Sequence, residues 1–202
     1  MIKRDNYQLQ AEQAKKHFLT YDQRELIDRC RLQFDSNYFY VTVLARRYRI
    51  DRHTGDMEYQ EKDAWVDGNT FGAVMTILDW LCDSKPDRSI AGRWVNLVNH
   101  GAYFHRNLQE GEDTNAVFFD KHPEAFRAAC QALGGYPLPG ADIGYAIELV
   151  DGLRIFVQLW HGDEEFAPRL RCLWDENALQ YLRYETSWYA VGLLMGRIRE
   201  NM

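Results

Sequence analysis

Two strongly apolar segments, residues 143–150 and 153–160, are separated only by Asp151-Gly152. Asp-Gly tolerates the positive φ angles that a type I′ turn requires, so this pattern predicts an antiparallel β-hairpin. A two-residue turn predicts that certain residues face one another: Val150 and Leu153, Glu148 and Ile155, Ala146 and Val157, and Gly144 and Leu159. Residues 153–160 carry large apolar side chains on both faces, so this strand should be central, with both faces covered.

The small residues Gly144 and Ala146 should leave a shallow area on this hairpin. A helix could approach the sheet closely there, because neither residue has a bulky side chain. After the hairpin, residues 169–174 read as a further strand.

Apolar residues recur every three to four positions in several other segments, which predicts amphipathic helices. The segments are 5–19, a short helix containing Leu26 and Cys30, 69–82, 123–133 and 187–199. Thr20 to Gln23 has the capping-box pattern for the second of these, Pro123 should open the fourth, and Thr186 should cap the last. Residues 39–51, followed by a turn at 53–56 and Met57, predict another hairpin.

These elements predict an α+β fold. Its mainly antiparallel sheet should have strand 153–160 at its centre, packed by amphipathic helices that include a C-terminal helix. A length of 202 residues fits a single domain, 1–202. The polar segment 83–87 is the best place for a sub-division of that domain, although it is too short for a flexible linker.

The charge of the chain restricts its partners. The formal net charge is −6 and the pI about 5.5. Since binders of nucleic acid or of anionic membranes are normally basic, neither partner is expected, which leaves a protein or a small molecule. The basic cluster Arg46, Arg47, Arg49 and Arg52 is interpreted as protecting an edge strand from aggregation. No signal peptide or membrane span is recognisable, so a cytoplasmic location is expected.

Four cysteines, Cys30, Cys82, Cys130 and Cys172, are far apart and each lies within an apolar pattern. No Cys-x-x-Cys pair occurs, so local ligand pairs for zinc or an iron–sulfur cluster are not indicated. Buried free thiols are the prediction, because disulfides are rare in the cytoplasm.

The strongest chemical candidate is the acidic loop, defined as residues 161–168, which contains His161, Asp163, Glu164 and Glu165. Three consecutive carboxylates could hold a hard cation such as magnesium or calcium. The alternative is a solvated loop pinned by Phe166 and Pro168, which is the more usual fate of a charge run. Asp175, at the far end of the following strand, should cap a helical turn instead of joining this site.

Residues 94–105 are the second candidate, since His100, Tyr103 and His105 could line a pocket. The five-residue separation of the two histidines fits neither one helix face nor one strand face, which favours structural roles. An exposed loop is expected at 110–113.

The C-terminal third carries a resemblance. The segments Leu159-Trp160-x-Gly162-Asp163-Glu164-Glu165-Phe166-x-Pro168, Leu173-x-Asp175 and Tyr181-Leu182, after 137–142, are similar to the bacterial family catalogued as domain of unknown function 3786. The resemblance implies no reaction, because the family has none assigned. Some relatives carry an appended cysteine-rich iron–sulfur segment like those beside corrinoid proteins, and the 202 residues contain no such segment.

Three functional hypotheses follow, of which the third is a purely structural partner in a complex. The first is a non-enzymatic accessory or ligand-binding domain whose recognition surface includes the acidic loop and residues 94–105. The second is a metal-dependent enzyme with Asp163, Glu164 or Glu165, and His161, at a divalent cation. No cofactor is indicated by any motif.

Overall fold

The computed structural model describes residues 6–97 and 113–202. These residues form six α-helices and two antiparallel sheets of five strands each, which confirms the α+β fold. The chain divides into two compact units: unit 1 is Met1–Ser89 with Leu179–Leu193, and unit 2 is Ile90–Ala178 with Leu194–Met202. The single domain 1–202, with its sub-division near 83–87, stays a prediction.

Unit 1 consists of a β-meander and helices. Its elements are α1 (Asn6–Phe18), α2 (Gln23–Cys30), β1 (Gln33–Phe34), β2 (Tyr38–Val43), β3 (Arg46–Asp51), β4 (Met57–Glu61), β5 (Ala64–Asp67), α3 (Phe71–Asp83) and the first ten residues of α6 (Tyr184–Glu200). The five strands lie in sequence order. Phe39 and Ile50 are fully buried, and Phe18 of α1 packs edge-on against Phe39. Burial of alternate residues therefore fixes one face of the sheet against the helices.

Helix α2 begins two residues later than the capping-box pattern predicts. The N-cap is Asp22, whose side chain accepts hydrogen bonds from the backbone N–H groups of Arg24 and Glu25. The Thr20 hydroxyl instead donates to the carbonyl of His17, at the end of α1. The prediction of a Thr20 cap was wrong because an aspartate at position 22 is an equally strong N-cap residue.

The basic cluster does not protect an edge strand. Strand β3, which carries Arg46, Arg47 and Arg49, lies in the middle of its sheet. The guanidinium carbon of Arg46 lies 3.9 Å from the ring centroid of Tyr59, and that of Arg49 lies 4.2 Å from Tyr38. These cation–π contacts join side chains of neighbouring strands and so stabilise the sheet.

The turn between β2 and β3 was missing from the sequence prediction, which treated residues 39–51 as continuous. Leu44 and Ala45 form this turn with φ angles of 48° and 56°. Such angles usually require Gly, Asn or Asp, so neither residue signals a turn. Leu44 is buried, so the packing of its side chain in the core stabilises the turn.

Asp79 is a buried carboxylate in α3. It accepts a 2.8 Å hydrogen bond from the backbone N–H of Arg183, pairs with the guanidinium of the same residue, and is bound by the Thr186 hydroxyl. Burial raises the pKa of Asp79 above its ordinary value, while these hydrogen bonds oppose the shift. Helix α6 begins at Tyr184, so Thr186 lies inside the helix and the prediction of a Thr186 N-cap was wrong.

Unit 2 is built around the predicted hairpin. Its elements are β6 (Trp94–Val95), α4 (Thr114–Lys121), α5 (Pro123–Ala132), β7 (Tyr136–Pro137), β8 (Ile143–Val150), β9 (Leu153–Trp160), β10 (Arg169–Asp175) and the end of α6. The strand order is β6-β10-β9-β8-β7, which confirms β9 as the central strand. Six of its eight residues are buried, on both faces.

The pairing of β8 with β9 shifts by one residue close to the Asp151-Gly152 turn. Val150 faces Leu153 as predicted, but a β-bulge between Glu148 and Val150 shifts every later pair by one position. The other predicted pairs were therefore wrong: Glu148 faces Arg154, Ala146 faces Phe156 and Gly144 faces Gln158. The bulge places a carboxylate oxygen of Glu148 3.4 Å from the Arg154 guanidinium. The predicted partner, Ile155, could not form this ion pair.

The predicted shallow area at Gly144 is filled locally. A Cβ atom on Gly144 would lie 2.6 Å from the Leu138 carbonyl oxygen and 2.9 Å from the Phe156 ring. A loop and a neighbouring strand therefore occupy the space that had been assigned to a helix. The helices of unit 2 pack elsewhere, α4 along β9 and β10 and α5 along β8. Stacking of Phe119 on Phe126, with centroids 4.8 Å apart, joins α4 to α5.

Asp175 ends β10 and lies at the opposite end of that strand from the acidic loop, as predicted. Its carboxylate accepts a hydrogen bond from the backbone N–H of Asn177, before a single turn of 3₁₀ helix at Ala178–Gln180. It also accepts from the backbone N–H groups of Ala91 and Gly92. The capping role is thus accompanied by a second role, which is to fix the segment before β6.

We expect Asp79→Ala to lower the free energy of unfolding by roughly 2–3 kcal/mol, because it removes a buried, charged acceptor from the part-buried backbone N–H of Arg183 and from its guanidinium. Asp83→Ala is the control, since Asp83 lies one turn further along α3 and its side chain is 27% exposed. Its exposed ion pair should contribute less than about 1 kcal/mol. Urea unfolding followed by circular dichroism measures both, and equal losses would contradict the role assigned to Asp79.

Candidate functional site

The acidic loop leaves the centre of the sheet directly after β9 and returns to it at Arg169. Its two ends touch. A Cβ atom on Gly162 would lie 2.8 Å from Cδ and 3.0 Å from the backbone nitrogen of Pro168. Only a residue without a side chain permits this approach, so the pair Gly162 and Pro168 closes the neck of the loop.

Hydrogen bonds to the Asp163 side chain fix the tip of the loop. Its Oδ1 accepts hydrogen bonds of 2.8 Å from the backbone N–H groups of both Glu165 and Phe166. Its own N–H donates to the Phe166 carbonyl at 2.9 Å. The hydrogen bonds from Glu165 and Phe166 hold the pKa of the Asp163 carboxyl below its usual value. The carboxylate of Asp163 is therefore occupied by the backbone of its own loop.

The base of the loop is attached to two other segments of unit 2. Nδ1 of His161 lies 2.5 Å from Oδ1 of Asp120 in α4, and the His161 backbone N–H donates to Oδ2 of Asp142 at 2.8 Å. Because an ionised carboxylate only accepts, Nδ1–H of His161 is the donor in the contact with Asp120. His161 consequently orients the loop through both its ring and its backbone.

The side chains that the loop presents outward are Glu164, Glu165 and Phe166. Both glutamates are exposed, and Phe166 is 69% exposed, the highest value among the large apolar residues in the described ranges. The expectation that Phe166 and Pro168 pin the loop was therefore correct for Pro168 and wrong for Phe166. The benzyl side chain of Phe166 has no polar group, so its exposure to water is unfavourable.

The predicted site residues separate into three groups. His161 and Asp163 serve the loop itself, Glu164 and Glu165 face solvent, and His100 and Tyr103 lie outside the described residues, as does His105. Within residues 6–97 and 113–202, no group of three or more His, Cys, Asp or Glu side chains could hold a metal ion. Trp94, the first residue of the second candidate segment 94–105, is half-buried against the Phe156 ring.

The cysteines form no disulfide, as predicted. Cys30, Cys82 and Cys130 are buried residues, and Cys172 is half-buried as a residue. Burial raises the pKa of the Cys82, Cys130 and Cys172 thiols to about 12, and also raises that of Cys30. At neutral pH these thiols stay protonated, so none has the thiolate that a nucleophile requires.

Two residues at the base of the loop were missed by the sequence analysis. Asp142 could have been found, because it precedes β8 at the end where β9 finishes, opposite the Asp151-Gly152 turn. Asp120 carried no signal, since it lies 41 residues before His161 on a helix that apolar periodicity did not predict. Asp113, assigned to an exposed loop, is the N-cap of that helix.

Both sheets and the acidic loop lie within one known protein family. The family model described as Domain of unknown function (DUF3786) matches residues 22–197. The chain belongs to this family. No curated protein and no solved structure matches the chain. Among the helices in the described ranges, none is both long enough and apolar enough to cross a membrane.

We expect Gly162→Ala to destabilise the protein by roughly 1–3 kcal/mol, because its methyl group would overlap Pro168. The matched control is Gly192→Ala in α6, where a Cβ atom would meet nothing within 4 Å. That change should stabilise the helix by roughly 0.5–1 kcal/mol. Thermal unfolding of the two variants gives the comparison. A stabilising Gly162→Ala would mean that the neck of the loop is open in solution.

The low pKa of Asp163 gives the loop a defined acid dependence. A carboxyl whose folded pKa is depressed contributes stability above its unfolded pKa, and this contribution is lost as the pH falls through the folded pKa. The amide NMR signals of Glu165 and Phe166 should therefore shift together with a midpoint below 3.8, the ordinary aspartate value. In Asp163→Asn this transition should vanish. A midpoint at or above 3.8 would contradict the two hydrogen bonds.

Proposed function

We propose that this protein is a cytoplasmic accessory domain that recognises a partner protein through the acidic loop. The observation that carries the proposal is the exposure of Phe166 on a loop that is fixed at its neck, tip and base. Aromatic side chains are common anchors of protein interfaces, because burying one removes a large apolar area from water. A single exposed phenylalanine is ordinary, but one on a fixed loop is suited to binding.

The order of the loop supports recognition over a purely solvated role. A flexible loop would lose conformational entropy on binding, and that loss would weaken the complex. Here the hydrogen bonds of Asp163 and the contact between Gly162 and Pro168 restrict the loop before any partner arrives. The binding residues are thus already close to a single arrangement, which reduces the entropic cost of association.

The enzymatic alternative receives less support from the same geometry. The pair His161 and Asp120 resembles the base and orienting carboxylate of a hydrolase, in which a hydroxyl or thiol lies against the other ring nitrogen. Within the described ranges, no hydroxyl or thiol forms a hydrogen bond with His161. The metal-dependent hypothesis likewise lacks a three-residue ligand group in those ranges. The proposal therefore does not use residues 161–165 as catalytic groups.

Photo-cross-linking tests the proposal. Benzoylphenylalanine at position 166 should capture a specific protein in cells, identified by mass spectrometry, whereas the same group at Ile90, which is 43% exposed in the same unit, should not. In parallel, Phe166→Ala should change the free energy of unfolding by less than about 0.5 kcal/mol. The proposal is wrong if position 166 captures nothing beyond position 90, or if Phe166→Ala unfolds the protein.

A further inference from the structure

Strand β10 carries two exposed arginines, Arg169 and Arg171. Neither side chain forms an ion pair, a hydrogen bond or a ring contact with another described residue. On the neighbouring strand β9, by contrast, the guanidinium of Arg154 is paired with Glu148. The positive charges of Arg169 and Arg171 are therefore uncompensated within residues 6–97 and 113–202.

The two arginines share a face of the sheet with Gln158 and Trp160 of β9. The register pairs Arg169 with Trp160 and Arg171 with Gln158, and residues directly opposite each other in antiparallel strands point to the same side. Arg169 and Arg171 are two residues apart on one strand, so their Cα atoms are separated by roughly 7 Å. Two guanidinium groups at that spacing can reach the same anion. Trp160 is half-buried and adds an indole ring beside them.

Gln158 provides the observation that indicates a ligand. The residue is only 6% exposed, yet its Oε1 has no hydrogen-bond partner among the described residues. Its Nε2 donates to the Gly140 carbonyl at 3.2 Å, so Oε1, on the other branch of the amide, faces away from Gly140. A buried acceptor without a donor is costly, and native proteins seldom leave one. A bound molecule that donates to Oε1 would remove this cost.

The carboxylates on the same face of β8, β9 and β10 are already engaged. Glu148 is paired with Arg154, and Asp175 accepts hydrogen bonds from backbone N–H groups. The uncompensated charge of this face is thus that of Arg169 and Arg171, although the whole chain has a net charge of −6. Charge complementarity therefore favours an anion at this place.

We propose that this face binds a small phosphate ester that carries an aromatic ring and a hydrogen-bond donor, such as a nucleoside monophosphate. Arg169 and Arg171 bind the phosphate, the ring lies against Trp160, and the donor group of the ligand binds Oε1 of Gln158. A phosphate monoester has nearly two negative charges and three terminal oxygens, so it accepts from both guanidinium groups at once. A carboxylate, with a single charge, would compensate only one of the two. This site is additional to the proposed recognition through Phe166.

The test is binding of adenosine 5′-monophosphate to the full chain, measured by calorimetry at fixed ionic strength and located by NMR. The native protein should bind it, with shifts of the Trp160 indole N–H signal and the Gln158 side-chain amide signals. Adenosine lacks the phosphate and ribose 5-phosphate lacks the ring. Each should bind at least about tenfold more weakly than the complete molecule.

Substitutions separate the contributions of the side chains. Arg169→Gln and Arg171→Gln should each weaken binding at least about fivefold, because a charge-assisted hydrogen bond is lost. Gln158→Met keeps the size of the buried side chain but removes the acceptor, and should weaken binding about threefold or more. Arg127→Gln is the matched control. It removes the same charge from α5 in the same unit and should bind like the native protein.

Three results would overturn the proposal. The first is an absence of binding of adenosine 5′-monophosphate at millimolar concentrations. The second is an affinity that Arg169→Gln and Arg171→Gln leave unchanged, or lower no more than Arg127→Gln does. The third is binding of ribose 5-phosphate as tight as that of adenosine 5′-monophosphate, together with native affinity in Gln158→Met, since the ring and the donor would then have no partner here.

Discussion

Burial of β9 on both of its faces is the constraint from which unit 2 is built. A strand with apolar side chains in both directions is stable only when neighbours lie on both edges and layers cover both faces. Strands β8 and β10 provide the edges, and α4 and α5 contribute a covering layer. The last residue of β9, Trp160, is therefore held firmly, and the loop that follows starts from a fixed point. The position of Phe166 depends on that strand.

Aspartates and glutamates have different roles in this acidic chain. Several aspartate side chains accept hydrogen bonds from backbone N–H groups at turns and helix starts: Asp22, Asp35, Asp51, Asp113, Asp163 and Asp175. An aspartate is short enough to reach the backbone two or three residues away, which a glutamate seldom does. A large part of the negative charge thus stabilises local structure. Glu164 and Glu165 differ from these aspartates, because no backbone N–H of their own loop binds their side chains.

The sequence predicted the parts of the fold in which local pattern and tertiary structure agree. Asp151-Gly152 gave the central hairpin, and Pro123 gave the start of α5, because each residue restricts its own backbone. The register failed where the pairing of Glu148 with Arg154 favoured a bulge, a choice made across strands. The base of the loop was only half predictable, since Asp142 is near His161 in register while Asp120 arrives on a helix with little periodicity.

The turn at Leu44 and Ala45 differs from the one at Asp151-Gly152 in what makes it form. An Asp-Gly turn is favoured in a short peptide, whereas a leucine and an alanine with positive φ are disfavoured until Leu44 can enter a core. We therefore expect the hairpin of β2 and β3 to close only after α1 has packed against Phe39, whereas the Asp151-Gly152 hairpin can begin at its own turn. The two sheets of this chain would then start to fold in opposite ways, one from a turn and the other from its interior.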